Sequence, residues 1–270
     1  MNISVIGSGS WGIALSIYLA KQGNTIKVWS FDENEKNKIN EEKKCIFLPN
    51  IELPEGIVCT NSYEEALEGA EIILHVTPSK FVRNTIKGYK EFIKPEQILL
   101  MCSKGFEAET NLTLDDVIKE ELPNVKYGIL SGPSHAEEVA IGVPTALVVA
   151  STDDEVNTKV SNVFKSKLLR IYHTTDVKGV ELGGALKNII AFCAGAAVGL
   201  NFGDNTFAML ATRGLVEVAR LGVAMGGDLK TFYGLTGLGD LIVTCGSQHS
   251  RNRRAGGCRA SVLSRRLSYL

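Results

Sequence analysis

The chain has 270 residues, of which 44% are hydrophobic and 22% charged, and its formal net charge at pH 7 is -1. These values are typical of a soluble globular protein with one large or two average domains. A net charge this close to zero excludes attraction to nucleic acid or to a membrane surface through the overall charge of the chain.

The spacing of cysteine and histidine argues against a disulfide framework and a metal site. The six cysteines include no Cys-x-x-Cys pair and the four histidines no His-x-x-x-His pair, so we expect reduced thiols and no bound metal.

The first residues lack the charged and apolar regions of a signal peptide. The apolar run 189–200 is shorter than the ~20 residues that cross a bilayer. The sequence therefore predicts no membrane span and a cytoplasmic location.

The N-terminal segment predicts a dinucleotide-binding turn. An apolar strand over 3–6 leads into Gly7-Ser-Gly-Ser-Trp-Gly12, and a helix follows over 13–21. In such a unit Gly7 permits the tight turn, Gly9 lets the backbone approach a pyrophosphate, and Gly12 lets the helix pack closely on the strand. The N–H groups and positive dipole end of the helix then face the phosphates.

The second predicted strand, over 25–31, ends at Phe31 and Asp32. An acidic residue there typically accepts hydrogen bonds from the ribose 2′-OH of NAD, whereas an arginine favours the 2′-phosphate of NADP. Asp32 therefore favours NAD slightly. The alternative is that Asp32 is only the N-cap of a helix in the polar segment 33–44.

Further strands are predicted over 72–76, 98–102, 127–130, 145–150 and 168–172. Their alternation with helical segments predicts an α/β fold with a Rossmann-type, doubly wound, mostly parallel sheet. Ligands bind at the carboxyl ends of such strands. Pro78, Lys104 and the segment 131–136 are therefore candidates, although Pro78 could belong to a stiff turn and 131–136 to an ordinary strand-to-helix turn.

After about residue 176 the sequence predicts only helices, over 180–200 and 209–225. Lys187 and Asn188 precede the run 189–200, which is predicted to be a buried helix. A lysine partly withdrawn from water loses its proton more readily and suits proton transfer near neutral pH. Alternatively, Lys187 extends from the end of a core helix and keeps its charge in water.

Two segments near the C-terminus could bind an anion or orient a cation. The glycine-dense stretch 234–241 places Asp240 directly before a predicted helix over 241–245. Ser250, Arg251 and Asn252 lie at a predicted helix start, where a cap, free N–H groups and a forked guanidinium could hold a phosphate. The alternative is a solvated basic surface.

Six motifs together resemble the NAD(P)-dependent glycerol-3-phosphate dehydrogenases, from residue 2 to residue 256. They are Gly7-Ser-Gly-Ser-Trp-Gly12, Ser103-Lys-Gly105, Ser131-Gly-Pro-Ser-His-Ala-Glu-Glu138, Glu181-Leu-Gly-Gly-Ala-Leu-Lys-Asn188, Gly234-Leu-Thr-Gly-Leu-Gly-Asp-Leu241 and Ser250-Arg-Asn-Arg-Arg254. The resemblance implies reversible reduction of dihydroxyacetone phosphate to sn-glycerol 3-phosphate, which supplies phospholipid synthesis. It also implies an N-terminal Rossmann domain, a smaller all-helical C-terminal domain and a homodimer.

The resemblance also implies roles for individual residues. Lys187 would accept the proton in the alcohol-oxidising direction, Lys104 would contact substrate and cofactor, and Asp240 would close around the substrate. Our hypothesis is that Lys104 helps to lower the pKa of Lys187 by like-charge repulsion, while Asp240 orients the Lys187 ammonium. The implied substrate-binding residues are Lys104, Gly132, Ser134, Lys187, Asn188, Asp240, Thr244, Ser250, Arg251 and Asn252. The implied cofactor-binding residues are Gly7, Gly9, Ser10, Trp11, Gly12, Phe31, Asp32, Pro78, Lys104, Ala136 and Arg251.

The sequence departs from the family pattern in two places. Many bacterial members carry arginine or histidine where this chain has Phe31, which again favours NAD over NADP. After residue 256 the family continues with more helices, whereas residues 257–270 form a basic tail with no convincing apolar face. We therefore expect a truncated or frame-altered C-terminus, with a Rossmann domain over 1–178, an incomplete helical domain over 179–256 and an atypical tail over 257–270.

An incomplete helical domain would leave apolar faces such as that of 189–200 partly uncovered. Two other functions remain open from the sequence. One is an inactive dinucleotide-binding remnant. The other is a hydroxyacid or ketopantoate-type reductase with the same two-domain build.

Overall fold

The computed structural model of the chain describes residues 1–267, with side chains described through residue 261. Within this range the short apolar segments form eight strands. They are β1 (Asn2–Ile6), β2 (Thr25–Trp29), β3 (Ile57–Thr60), β4 (Ile72–His75), β5 (Ile98–Met101), β6 (Lys126–Ser131), β7 (Thr145–Ala150) and β8 (Leu169–Thr174). They form one sheet in the order β3-β2-β1-β4-β5-β6-β7-β8.

The sheet confirms the predicted mostly parallel, doubly wound architecture. Strand β1 pairs in parallel with β2 on one side and β4 on the other, so the strand order reverses at β1. The pairs β2–β3, β4–β5, β5–β6 and β7–β8 are also parallel. Every residue of β4 and β5 is buried, as their continuous apolar runs indicate for strands covered on both faces.

Two strand predictions need correction. Strand β3 is not among the predicted strands, because its four residues at the sheet edge are too few to show a period in the sequence. Strand β2 ends at Trp29, two residues before its predicted end. Ser30 and Phe31 therefore belong to the loop after the strand rather than to the strand itself.

Seven helices connect the strands in this part of the described chain. They are α1 (Ser10–Lys21), α2 (Glu33–Asn37), α3 (Tyr63–Leu67), α4 (Val82–Tyr89), α5 (Leu114–Glu121), α6 (Ala136–Ile141) and α7 (Asp154–Phe164). Ser62, Thr113 and Asp153 each accept a hydrogen bond from a first-turn N–H of the helix that follows, which explains where α3, α5 and α7 begin.

The only regular elements of the remaining described residues are helices. They include α8 (Val177–Gly199), α9 (Asp204–Ala224), α10 (Leu229–Phe232), α11 (Asp240–Gly246) and α12 (Arg251–Leu267). The chain divides into two compact units, the first of residues 1–130 and 134–177 and the second of residues 131–133 and those after 177. The predicted domain limits at 178 and 256 stay predictions.

Helix α12 continues through residue 256, where the sequence suggested that a regular domain ends. Its small residues approach α8 closely: a Cβ at Gly195 would lie 1.8 Å from the Arg253 carbonyl oxygen, and one at Gly256 2.0 Å from that of Phe192. The first residues of the predicted tail 257–270 thus extend a helix that packs through glycine rather than through a large apolar face. Residues 268–270 of that tail lie outside the described residues.

The prediction that 189–200 is buried is only half right. Ala191 and Ala194 lie in a buried cluster with Leu215, whereas Ile189 is 64% exposed and Phe192 40% exposed. One face of α8 packs on its neighbours in this unit, and the other is not covered by the side chains that the structure describes.

The length of α8 also differs from the prediction, because the helix extends back to Val177. Among the helices of residues 1–267, α8 alone is long enough and apolar enough to cross a membrane. However, 56% of its most apolar 18-residue window is buried inside the protein, as in a core helix.

Candidate active site

The glycine turn between β1 and α1 fits the close approach of a pyrophosphate. Gly7 has φ +122°, a region that favours glycine, and a Cβ at Gly12 would lie 2.1 Å from the Gly7 carbonyl oxygen. Only glycine therefore lets α1 begin so close to the strand. At Gly9, by contrast, a Cβ would meet no atom of the described residues within 4 Å. The space in front of Gly9 is open to a ligand.

The N-terminus of α1 is suited to an anion. Its N-cap is Gly9, so no side chain bonds the first-turn N–H groups there, and its first turn carries no acidic residue. Such N–H groups and the helix dipole attract negative charge. Ser10 and Trp11, both half-buried, lie in this first turn as predicted for a cofactor-binding segment.

Asp32 is the N-cap of α2, because its Oδ1 accepts a hydrogen bond from Asn34 N at 2.9 Å. Asp32 therefore does cap the helix, and its second carboxylate oxygen could still accept from a ribose hydroxyl, so its role in cofactor binding stays a prediction. Ser30 Oγ accepts hydrogen bonds from Asp32 N at 3.1 Å and from Ser8 Oγ at 2.9 Å, which ties the loop after β2 to the glycine turn. Phe31 is 86% exposed.

The loops after β4 and β5 lie side by side. Ser103 Oγ donates to the Thr77 carbonyl oxygen at 2.5 Å, and a Cβ at Gly105 would lie 2.9 Å from Ser79 Oγ. Pro78 and Lys104, the two candidates from these loops, are therefore brought to the same edge of the sheet. This is the edge where open parallel sheets bind ligands.

Sequence reasoning missed the residue that fixes the end of β4. His75 Nε2 bonds Thr77 Oγ1 at 2.7 Å and Nδ1 bonds Tyr89 Oη at 3.0 Å. Burial lowers the pKa of His75 to about 3, so the ring is neutral and its role is structural. The signal was present in the sequence as a histidine inside the apolar run 72–76.

The candidate segment 131–136 is divided between the two units. Ser134 and Ala136 belong to the first, in which Ala136 is the buried first residue of α6. Helix α6 packs along α1, and Lys21 Nζ donates to the Ala140 carbonyl oxygen at 3.3 Å. Gly132 belongs to the second unit and has φ +135°, which explains the glycine.

In the second unit Lys187 is buried, with 6% of its surface exposed. Its ammonium forms an ion pair with Asp240, which is 1% exposed, and donates to Thr244 Oγ1 at 2.9 Å. Thr244 Oγ1 in turn donates to Asp240 Oδ1 at 3.2 Å. The alternative of a lysine that extends its charge into water is therefore wrong. The catalytic roles of Lys187 and Asp240 stay predictions.

Close backbone packing brings Lys187 and Asp240 together. A Cβ at Gly183 would lie 2.8 Å from the Thr236 carbonyl oxygen, and one at Gly237 would lie 2.0 Å from that of Phe232. Gly183 is thus needed for the approach of α8 to the π-helical turn Leu235–Gly239 that leads into α11, and Gly237 for the packing of that turn on α10.

Cys245 lies close enough to Lys187 and Asp240 to sense their charges. Burial raises the pKa of the Cys245 thiol to about 11, and the Lys187 charge opposes that rise only in part. Cys245 is therefore a neutral thiol near neutral pH and packs as a small apolar residue.

The start of α12 has the predicted cap. Ser250 Oγ accepts a hydrogen bond from Arg253 N at 3.2 Å, and Asn252 Nδ2 donates to Asn188 Oδ1 at 2.8 Å. This second contact joins two predicted substrate-binding residues from α8 and α12. Arg251, the first residue of α12, is exposed.

All six cysteines are free. The part of the chain that the structure describes contains no group of three or more His, Cys, Asp or Glu side chains placed to hold a metal ion.

Comparisons with known proteins cover both halves of the chain. A family model described as NAD-dependent glycerol-3-phosphate dehydrogenase N-terminus matches residues 2–157, and the corresponding C-terminus model matches residues 176–264. The second match extends past residue 256, where the resemblance was predicted to end.

Individual relatives agree with the family models. The chain is 53% identical over 260 residues to a glycerol-3-phosphate dehydrogenase (NAD(P)+) of Fusobacterium nucleatum, covering 95% of this chain and 77% of that relative. A crystal structure of glycerol-3-phosphate dehydrogenase from Coxiella burnetii matches with a TM-score of 0.93 and 36% identity, over 96% of this chain and 80% of that one.

A more distant likeness bears on the alternative reductase. A ketopantoate reductase from Ralstonia eutropha matches with a TM-score of 0.57 and 12% identity, over 99% of this chain and all of that one. At that identity the likeness shows a shared fold alone.

The contrast between Gly9 and Gly12 makes a testable prediction. Gly9→Ala should change the free energy of unfolding by less than about 1 kcal/mol, because its Cβ enters open space and the weaker N-cap is offset by the smaller backbone entropy of alanine in the unfolded chain, but it should weaken NADH binding about tenfold or more. Gly12→Ala should lower the free energy of unfolding by about 2–4 kcal/mol, because its Cβ meets the Gly7 carbonyl oxygen. Urea unfolding and NADH fluorescence titration measure both. Unchanged NADH affinity in Gly9→Ala would show that the glycine turn does not bind the cofactor.

Proposed function

This chain belongs to the NAD-dependent glycerol-3-phosphate dehydrogenase family, and we propose that it interconverts dihydroxyacetone phosphate and sn-glycerol 3-phosphate. The observation that carries the proposal is the buried Lys187–Asp240 ion pair, which keeps a proton donor out of bulk water. The relatives are glycerol-3-phosphate dehydrogenases, which supports the same reaction.

The first unit offers residues that fit a nicotinamide dinucleotide. The open space at Gly9 and the α1 N-terminus suit the pyrophosphate, and Asp32 suits the adenosine ribose. Ser10, Trp11, Pro78, Lys104 and Ala136 are proposed to line the cofactor as well, and Arg251 is proposed to contact it. When bound, the dinucleotide supplies the hydride that reduces the substrate carbonyl carbon.

Lys187 supplies the proton. As the carbonyl carbon gains a hydride, negative charge grows on its oxygen, and the Lys187 ammonium stabilises that charge and then protonates the oxygen. In the reverse direction the neutral amine accepts the proton of the alcohol. Asp240 and Thr244 hold the lysine nitrogen in place, and the Asp240 carboxylate favours its charged form. Burial strengthens each of these electrostatic effects.

The remaining assignments concern the substrate. Ser250, Arg251 and Asn252 are proposed to hold its phosphate, with Asn188 fixed by Asn252, because a helix start and a guanidinium both suit a phosphate. Lys104 is proposed to contact the substrate too, as are Gly132, Ser134 and Thr244.

Three further proposals concern the cell biology and assembly of the protein. We expect it to supply glycerol 3-phosphate for phospholipid synthesis, to act in the cytoplasm and to form a homodimer. The comparisons support a small phosphorylated substrate, and the rest follows from what is typical of the family.

The phosphate proposal predicts a strong preference for the phosphorylated ketone. Arg251→Ala should lower kcat/KM for dihydroxyacetone phosphate by about 30-fold, since a charge-assisted bidentate contact contributes about 2 kcal/mol. With NADH saturating, it should hardly change the rate with unphosphorylated dihydroxyacetone, because a weaker cofactor contact does not limit the rate under that condition. Steady-state NADH oxidation measures both, and exposed Arg254→Ala is the matched control. Equal rates with the two ketones in the parent chain would contradict the proposed substrate and favour another reductase.

The NAD preference rests on Asp32, and Asp32→Asn tests it. Asparagine caps a helix as well as aspartate, so the free energy of unfolding should not change, whereas the weaker ribose contact should lower kcat/KM with NADH about tenfold. The ratio of kcat/KM for NADH to that for NADPH reports the change. Asp228→Asn is the control, because Asp228 Oδ1 caps α10 in the same way. An unchanged ratio would show that Asp32 caps α2 but does not contact the ribose of the cofactor.

A further inference from the structure

Arg83, on α4, joins three carboxylates. Its Nε and Nη2 donate to the two oxygens of Glu107 at 2.7 and 2.9 Å, Nη1 donates to Glu121 at 2.9 Å, and Nη2 also pairs with Glu120 at 2.7 Å. The side chains of Glu107 and Glu121 are only 13% and 10% exposed. The Arg83 cluster, as we call these four residues, is therefore better shielded than ordinary surface ion pairs, which contribute little.

Glu107 also closes a tight turn of the backbone. Its N–H donates to the Leu112 carbonyl oxygen at 2.9 Å, its carbonyl oxygen accepts from Asn111 N at 3.0 Å, and its Oε2 accepts from Thr110 Oγ1 at 2.5 Å. Asn111 adopts φ +59° within this turn. Both the backbone and the side chain of Glu107 are thus fixed, the side chain by both oxygens of a forked pair.

Lys104 lies three residues before Glu107, between two anchored points. On its N-terminal side, Cys102 N donates to the His75 carbonyl oxygen at 2.9 Å at the end of β5. On its C-terminal side Phe106 forms an isolated antiparallel bridge with Thr113, and the turn that Glu107 closes lies directly between these two residues. The turn at Glu107 therefore helps to set where the C-terminal side of the Lys104 segment is held.

We propose that Glu107 is a positioning residue for Lys104, held in place by the forked hydrogen bonds of Arg83. The proposal rests on the proposed function, which assigns Lys104 to substrate contact. The Arg83 guanidinium fixes the Glu107 turn, the turn fixes the short Lys104–Phe106 segment, and that segment directs the lysine. A lysine at position 83 would keep the charge but could not bind three carboxylates in one plane.

The protonation state of the cluster suits this role. The hydrogen bond from Arg83 holds the pKa of Glu107 below its ordinary value, and the contact with Thr110 acts in the same direction. Glu107 therefore stays a carboxylate, which the forked contact requires.

A double-mutant cycle tests whether Glu107 acts through Lys104. Glu107→Gln should lower kcat/KM for dihydroxyacetone phosphate about tenfold or more, since small misplacements of a substrate contact are costly. In a Lys104→Ala background the same change should cost less than about twofold, because the residue to be positioned is gone. NADH affinity should not change. An equal loss in both backgrounds would overturn the proposal.

Glu120→Gln is the matched control, because Glu120 contacts the same guanidinium from α5 and belongs to neither the turn nor the Lys104 loop. It should leave kcat/KM for dihydroxyacetone phosphate within about twofold of the parent value. A loss equal to that of Glu107→Gln would show that only the stability of the cluster matters, and would overturn the positioning role.

Amide hydrogen exchange separates a failure of this proposal from a failure of the proposed function. Exchange over residues 103–113 should be faster in Glu107→Gln than in the parent chain and unchanged in Glu120→Gln. This holds whether or not the chain reduces dihydroxyacetone phosphate. If the parent turns the substrate over and exchange in Glu107→Gln equals that of the parent, the positioning role is wrong and the proposed function stands. If the parent is inactive, the proposed function is wrong, and unchanged exchange would reject the Arg83 contact as well.

Discussion

The buried ion pair of Lys187 and Asp240 is the constraint on which the second unit depends. Two opposite charges with side chains 7% and 2% exposed are stable only as a pair, and loss of one partner of such a pair typically costs about 3–5 kcal/mol. The backbone around the pair must therefore pack closely enough to exclude water. Glycine at positions 183 and 237 permits this close packing. The same packing that shields the charges holds the Lys187 amine where the proposed chemistry needs it.

The first unit has a different structural requirement, because a bound dinucleotide needs open space and unpaired backbone N–H groups rather than a filled interior. The sheet supplies a rigid edge, because the buried strands β4 and β5 end in loops that contact each other. The neutral ring of His75, the last residue of β4, hydrogen-bonds Thr77 in the loop that follows. Glycine at position 9 then leaves the α1 N-terminus uncovered. The proposed cofactor site depends on these rigid strands and exposed loop ends.

Sequence reasoning predicted the parts of the structure that local patterns determine. The glycine spacing gave the tight turn, apolar runs gave seven of the strands, and Ser250 gave a helix cap, since each depends on neighbours in the chain. Contacts between distant residues were harder. The Arg83–Glu107 contact joins residues 24 apart, and neither residue stands in a pattern that reveals its partner. A partly uncovered face on 189–200 was expected, but the residues that form it were not, because a continuous apolar run does not show which side is covered.

The central claim is that the Lys187 ammonium supplies the proton in the reduction of dihydroxyacetone phosphate, and turnover by Lys187→Gln tests it most directly. Loss of the ammonium leaves the buried Asp240 charge without its partner and should lower the free energy of unfolding by about 3–5 kcal/mol. Glutamine can still hydrogen-bond Asp240 and Thr244, so the folded variant should bind NADH as the parent does, while kcat should fall by about a thousandfold or more. Lys230→Gln, at an exposed position on α10, should leave kcat unchanged. A folded Lys187→Gln protein whose kcat stays within about tenfold of the parent value would contradict the claim.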